Sequence, residues 1–319
     1  MVQTKKISTW VVLGTGGTIA GTAAAPGEHT AYTAAQLGVS QLVSALPGIE
    51  QVLAGDRLEV EQVAQLDSKD MDHATWQWLA QRCQHWLTQP EVGGIVITHG
   101  TDTLEETAWF LQEVLHTRKP VVLTCAMRPA TALAPDGPQN LLDALAVVRH
   151  PEAQGVLAVC AGRCGCARAV QKVHPYRLDA FSSGEAGPLG WVEQSQVRWS
   201  GPCPACEPHP HAQRALTHAP ADWPWVEVLH SRAGADARQV RALVAAGVQA
   251  CVVAGTGNGT VHQELLLALS EAQAQGVAVR LLSRCAWGQV VGQPAGLQLA
   301  PLGLNAYKAR IHLILDLML

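Results

Sequence analysis

Short apolar runs alternate with segments of helical period along most of this chain, and no other feature constrains its fold as tightly. The runs Trp10–Leu13, Gly94–Thr98, Val121–Cys125 and Val156–Cys160 read as strands, and Met71–Leu87, Leu104–Leu115 and Gln139–Arg149 read as the helices between them. A strand-then-helix rhythm predicts a mostly parallel sheet with helices on both faces. Ligands of such sheets sit at the carboxyl ends of the strands.

The rhythm breaks over Ser200–Pro224, a stretch rich in Pro and His whose composition suits an exposed linker. It resumes with a strand near Val226–Leu229, a helix near Ala235–Ala246 and a strand at Ala250–Ala254. A helix near Thr260–Ala274, a strand at Val277–Leu281 and a terminal helix near Ala306–Leu317 follow. The expected fold class is therefore α/β. A large N-terminal domain over 1–199, a mostly parallel sheet with flanking helices, is joined by a linker over 200–224 to a smaller C-terminal α/β domain over 225–319. There is no internal repeat of fixed period.

The 319 residues are 48% hydrophobic and 15% charged, enough apolar material for a substantial core and too little charge for disorder. The formal net charge is −4 and no Lys/Arg run occurs, so neither nucleic acid nor an anionic membrane is implied as a partner. No apolar stretch approaches the roughly 20 residues that span a bilayer. Lys5 and Lys6 precede an apolar run, but Trp10–Leu13 is shorter than the ~7–15 residues of a signal-peptide core, so a cytoplasmic location is expected. The nine cysteines, an odd number scattered through apolar segments, read as buried or free thiols.

Two segments carry chemistry. In Gly14-Thr15-Gly16-Gly17-Thr18-Ile19-Ala20-Gly21 a glycine-rich turn follows a strand. It is not a dinucleotide fingerprint, because Ile19 stands where a glycine is needed, and it lacks the Gly-Lys-Ser/Thr of a P-loop. Its glycines let backbone N–H groups approach a ligand and leave the Thr15 and Thr18 hydroxyls uncrowded. The bland alternative is an ordinary strand-to-helix turn. In the second segment a buried strand ends at Thr98 and His99-Gly100-Thr101-Asp102-Thr103 follows. Asp102 or Thr103 is expected to cap the next helix, with Glu105 or Glu106 completing a capping box. Capping does not account for three such residues in a row; the cluster offers hydroxyls beside a carboxylate able to grip an ammonium group. His99 reads as a hydrogen-bonded structural residue rather than a base.

Together these two segments resemble the bacterial L-asparaginase family. Further pieces agree in order: Asp67-Ser68-Lys69-Asp70-Met71, Ala126-Met127-Arg128-Pro129, Asp136-Gly137-Pro138-Gln139-Asn140-Leu141, Gly187-Pro188-Leu189-Gly190 and Ala254-Gly255-Thr256-Gly257-Asn258-Gly259. The resemblance implies an asparagine amidohydrolase that needs no cofactor and no metal. It implies Thr18 as nucleophile and Tyr32, from a lid whose Gly21–Thr30 stretch is rich in Gly, Ala and Pro, as its proton partner. Thr101, Asp102 and Lys172 match the family's second trio. Without the resemblance, Lys172 would pass for a solvated surface lysine. Asp102 would take a substrate ammonium; Ser68, Lys69 and the backbone at Gly100 would take its carboxylate. Thr101-region N–H groups would stabilise an oxyanion. Homotetramers built from dimers are the family's usual assembly.

The chain also departs from the family. Lys69 stands where many relatives carry glutamine, a difference that bears on the choice between asparagine and glutamine. Cys285–Leu299, where relatives present a glutamate toward a neighbouring subunit's lid tyrosine, holds no Asp or Glu; Thr260 stands where some relatives carry asparagine. That absence is the support for a non-catalytic amino-acid-binding relative. A preference for glutamine or another amide is the enzymatic alternative. Cys203, Cys206, His209 and His211 have metal-like spacing, but only one Cys-x-x-Cys knuckle is present and no metal is expected.

Overall fold

A computed structural model of the chain describes residues 7–25, 27, 31–203 and 207–318. Lys5, Lys6, Thr30 and Cys206 lie outside the described residues. The chain divides into two compact units, one ending at Pro208 and the other beginning at His209.

The first unit is built on an eight-stranded sheet. Its strands are β1 Thr9–Gly16, β2 Arg57–Leu66, β3 Val92–Thr98, β4 Val121–Thr124, β5 Val156–Cys160, β6 Arg163–Cys166, β7 Gly190–Glu193 and β8 Gln196–Trp199. The spatial order is β8-β7-β6-β5-β4-β3-β1-β2. The five strands β2, β1, β3, β4 and β5 are mutually parallel, and β6 to β8 continue the sheet antiparallel. Every residue of β1, β4 and β5 is buried, as befits central parallel strands covered on both faces. β2 is the edge, and its Arg57, Glu59 and Glu61 are the charged residues that suit an edge strand. Ala161 and Gly162, both at positive φ, turn β5 directly into β6 as a two-residue hairpin whose twist such a pair matches.

Three long helices cover the sheet: α1 His73–Leu87, α2 Leu104–Val114 and α3 Gly137–Val148. Leu141 and Leu145 of α3 join Val12, Val96, Val122, Leu157 and Val159 in one core layer. The residues of opposite phase, Val11, Leu13, Ile95, Ile97 and Leu123, are wholly buried on the other face, which α1 and α2 cover; Trp76 of α1 stacks on Phe110 of α2 at 5.2 Å. Each face thus receives the 2-residue alternation of the strands and the 3.6-residue stripe of a helix.

The second unit repeats the principle on a smaller scale. Strands β9 Val226–His230, β10 Ala250–Gly255 and β11 Ala278–Ser283 form a three-stranded parallel sheet with β10 central. Helices α4 Arg238–Ala245, α5 Gln263–Ala274 and α6 Ala306–Asp316 accompany it. His262 caps α5 by accepting from Glu264 N, and Asn305 caps α6 by accepting from Lys308 N. The α/β class with a large and a small sheet is therefore as expected. The stretch from Ser200 to Pro224 carries a short helix, Ala212–Thr217.

The order 2-1-3-4-5 of the parallel strands places a topological switch between β1 and β3. The connection leaving β1 runs to one side, toward β2, and the one leaving β3 runs to the other, toward β4. A crevice opens where two such connections diverge at the carboxyl ends of adjacent strands. Thr18 follows β1 and Thr101 follows β3, so both stand at its rim.

Candidate active site

Thr18 leaves β1 through two glycines in conformations that side chains disfavour, Gly16 at φ 101° and Gly17 at φ 81°. A Cβ on Gly17 would lie 2.3 Å from Gly100 Cα, so the backbones of the two post-strand segments touch directly. Thr18 and Thr101, the next residue of each segment, flank that contact and are both buried. The Thr18 hydroxyl is 2.6 Å from the Tyr32 hydroxyl, with either able to donate. Tyr32 arrives on a two-stranded ribbon, Thr22–Ala23 against Tyr32–Thr33, and its ring packs over Gly21.

The second group of side chains gathers around Lys172. Its ammonium donates to Thr101 Oγ1 at 2.8 Å and to Asp102 Oδ1 at 2.6 Å. The ribbon Gln171–Lys172 against Phe181–Ser182 carries it there, and its backbone N–H donates to Glu105 Oε2 at 2.5 Å. The Lys172 side chain is 17% exposed while the Asp102 side chain is 52% exposed, so the carboxylate presents a free oxygen to the crevice. An ammonium held on a threonine oxygen stabilises the negative charge that oxygen acquires when it loses its proton.

Ser68 joins the two groups. Its hydroxyl accepts from Asp102 N at 3.1 Å, and its carbonyl accepts from Thr103 Oγ1 at 2.8 Å. Gly100 leaves room for it, since a Cβ there would stand 2.4 Å from Ser68 Oγ. The Thr103 hydroxyl is therefore spent on the Ser68 loop. It heads α2 without making a side-chain cap, and the expected capping box is absent.

His99 is wholly buried and lies behind the site. Its Nε2 is 2.9 Å from Thr107 Oγ1 and its Nδ1 is 2.7 Å from the Gly100 carbonyl. Trp76 Nε1 donates to the same Thr107 hydroxyl at 2.8 Å. The roles follow by elimination. Trp76 can only donate and the Gly100 carbonyl can only accept, so Thr107 gives its proton to Nε2 and His99 carries its own on Nδ1. Burial holds His99 down to about 4, neutral as that pattern requires. It is a structural residue and anchors the carbonyl beside Thr101, as expected.

Thr18 and Tyr32 thus form one hydrogen-bonded set, and Thr101, Asp102 and Lys172 a second. Ser68 and Gly100 stand where the two meet. Lys69 stands apart: its ammonium lies 2.5 Å from Asp70 and 3.6 Å from Asp67, with 61% of the side chain exposed. Sequence reasoning gave Glu105 only a candidate place in a capping box, whereas its carboxylate accepts from the Lys172 backbone. It missed the Trp76–Thr107–His99 chain, whose members are scattered in sequence. The Cys285–Leu299 stretch is clamped by Asn258, which donates to the Val291 carbonyl and accepts from Val291 N, each at 2.8 Å. The Thr260 hydroxyl pairs with that of Thr256 at 2.8 Å. Of the residues with metal-like spacing, His209 pairs with Asp316 and His211 with the Leu315 carbonyl, while the Cys203 carbonyl accepts from Gln154.

Comparison with known proteins adds three kinds of likeness. The family model described as asparaginase, N-terminal, matches residues 10–204, and that described as glutaminase/asparaginase C-terminal domain matches residues 225–318. The chain is 37% identical over 281 residues to a glutaminase-asparaginase of Pseudomonas fluorescens biotype A, covering 87% of this chain and 76% of that one. It is 34% identical over 311 residues to an L-asparaginase 2 of Bacillus subtilis strain 168, covering 96% and 81%. Among solved structures, the probable cytoplasmic L-asparaginase from Campylobacter jejuni aligns with a TM-score of 0.89 at 35% identity, covering 97% of this chain and 95% of that one.

Proposed function

The chain belongs to the asparaginase family, and from that premise we propose that it hydrolyses L-asparagine to L-aspartate and ammonia with Thr18 as the nucleophile. It is a hydrolase of amide bonds. The observation that carries the finer reading is the pair of hydroxyl sets facing each other across the Gly17–Gly100 contact: Thr18 with Tyr32, and Thr101 with Lys172 and Asp102.

Substrate enters with its ammonium on the exposed oxygen of Asp102 and its α-carboxylate toward Ser68 and the Gly100 backbone. The side-chain amide then lies against Thr18. Thr18 Oγ1 attacks the amide carbon as its proton passes toward Tyr32, 2.6 Å away. Backbone N–H groups around Thr101 hold the oxyanion. Proton return to the nitrogen expels ammonia and leaves a β-aspartyl ester on Thr18. Water held at Thr101 Oγ1 then attacks that ester. Its proton passes by way of the Thr101 hydroxyl to Thr18 Oγ1 as the ester bond breaks, and the Lys172 ammonium offsets the negative charge that builds on Thr101 Oγ1. Aspartate leaves with the Thr18 hydroxyl restored. His99 takes no proton in this scheme, because both its nitrogens are committed.

Two features favour a broader substrate range. One relative is named glutaminase-asparaginase, and Lys69 supplies an exposed cation on the loop assigned to the substrate. Ammonia release with L-asparagine and L-glutamine offered separately, without added cofactor, measures that range. Thr18→Ala and Thr101→Ala are each expected to lower kcat by about a thousandfold or more. Near-normal turnover in either removes the role assigned to it, and tight aspartate binding without any ammonia release by the unaltered protein would instead mark an amino-acid-binding relative.

The same reading extends to assembly and location. A homotetramer of dimers is proposed from family membership and is tested by sedimentation. No helix among the described residues is long and apolar enough to cross a membrane. A cytoplasmic location is proposed in keeping with the name of the Campylobacter neighbour and is tested by cell fractionation.

A further inference from the structure

Cys125 follows β4 and Cys160 ends β5. Thr124 pairs with Val159 in the parallel register, so the two cysteines are the next pair along, and their side chains share a face of the sheet. Their sulfurs are 2.9 Å apart, and both thiols are free. The shared face is the one covered by α2, the side on which Lys172 reaches Thr101. Asn140 of α3 holds the backbone of this pair from behind: its Nδ2 donates to the Cys125 carbonyl and its Oδ1 accepts from Ala161 N, each at 2.9 Å.

A cavity of about 280 Å³ opens beside this pair, lined among others by Cys160, Arg163, Val170, Phe181, Ser182 and Trp191. Cys125 does not line it. Both residues are buried, and the cavity reaches the pair from the Cys160 side. Cys164 also borders the cavity, but it is paired with Val159 across the β5–β6 hairpin and packs in the opposite core layer. Strand alternation therefore turns its sulfur away from Cys160.

We propose that Cys125 and Cys160 form a dithiol–disulfide couple, with Cys160 as the sulfur that meets a peroxide-type oxidant through the cavity and Cys125 as the one that resolves it. The Cys160 thiolate attacks one oxygen of hydrogen peroxide. The O–O bond breaks, the sulfur becomes a sulfenic acid and one water forms. The Cys125 sulfur then displaces the hydroxyl from Cys160, the S–S bond forms, and the hydroxyl leaves as water with the Cys125 proton. Two thiols lose two electrons and two protons, and one peroxide becomes two waters. The sulfurs have to approach by about 0.9 Å to reach the ~2.05 Å of a disulfide, and residues in register on neighbouring strands have the Cα spacing the bond needs. Burial pushes the Cys125 thiol up and its hydrogen bond to Cys160 acts in the same direction, so Cys125 keeps a proton to donate to the Cys160 sulfur. That division of labour suits an attacking thiol and a resolving one.

The test treats the full-length protein with hydrogen peroxide, unfolds it, blocks remaining thiols with iodoacetamide and digests it without reductant. Exposed Cys285 is the internal measure of peroxide exposure. A linked Cys125–Cys160 peptide is expected to become the dominant form of both cysteines and to vanish with dithiothreitol. Its absence once Cys285 is fully oxidised, with both cysteines recovered alkylated, overturns the proposal, as does Cys160 linked to any other cysteine. In the Cys125→Ser protein, peroxide should leave a sulfenic acid on Cys160 that dimedone captures. Capture at Cys125 in the reciprocal Cys160→Ser protein and none at Cys160 in the first would overturn the assigned order.

Discussion

At the scale of single residues, the site depends on two places where no side chain can stand. Gly17 and Gly100 touch through their backbones, and Gly100 also borders Ser68. Gly17→Ala would place a methyl 2.3 Å from Gly100 Cα at a φ of 81° that alanine resists, so the two post-strand segments must part. The expected result is a loss of most kcat with the fold retained, read from ammonia release beside circular dichroism. Gly100→Ala would press hardest on Ser68, whose Oγ and Cβ lie 2.4 and 2.6 Å from the new methyl, with Gly17 Cα at 3.2 Å. The larger effect is expected on KM, because the group assigned to the substrate carboxylate must shift. Tyr32→Phe removes the hydroxyl that stands 2.6 Å from that of Thr18. A fall in kcat of about a hundredfold or more is expected, with KM little changed. Lys69→Gln breaks exposed ion pairs of small energetic weight, so stability should stay within about 0.5 kcal/mol. The ratio of asparagine to glutamine turnover is the quantity expected to move, and an unmoved ratio would show that the Lys69 cation takes no part in selection.

At the scale of elements, helix α2 organises the site from its N-cap and first turn. Thr103 holds the Ser68 loop, Glu105 holds the backbone of Lys172, and Thr107 holds His99. Thr107→Val would strand Trp76 Nε1 and His99 Nε2 without partners inside the core. A cost of about 3 kcal/mol is expected in urea unfolding, while Thr107→Ser, which keeps the hydroxyl, should cost about 1 kcal/mol or less. These same elements show where sequence reading reaches. The central strands and the long helices were legible because burial on both faces writes continuous apolar runs and amphipathic stripes. Edge strand β2 was not: Arg57-Leu58-Glu59-Val60-Glu61 alternates as an edge strand must, and its charges hid it. The antiparallel extension β6 to β8 was also missed, being made of four-residue strands. The side chains of the two hydroxyl sets were legible through the resemblance. The bonds of Thr103 and Glu105 were not, because a threonine and a glutamate at a helix start look like a cap, and only the approach of a distant loop diverts them.

At the scale of the whole molecule, the buried histidine gives the first unit its own acid sensitivity. His99 is neutral in the folded chain, held at about 4 by burial, against 6.5 when exposed. Between those values the unfolded chain binds a proton that the folded chain refuses. Stability from this group is therefore complete above pH ~6.5 and falls as the pH drops toward ~4, by about 2 kcal/mol between pH 7.5 and pH 5. Asp143, in the same unit, acts in the other direction: burial raises its carboxyl, so the folded form takes its proton first and gains as the pH falls. Asp316, in the second unit, is held low by its hydrogen bond from His209, with contributions from His312 and Arg280, and loses its contribution only below the ordinary carboxylate range. Acid should thus weaken the first unit before it touches the Asp316 network. Urea unfolding of the unaltered protein and of His99→Gln at pH 7.5 and pH 5 isolates the histidine, because Asp143 contributes equally to both. The variant should be less stable at the higher pH and lose less on acidification, bringing the two proteins closer together at pH 5. Parallel losses in both would mean that His99 takes up its proton without opening the core around Thr107 and Gly100.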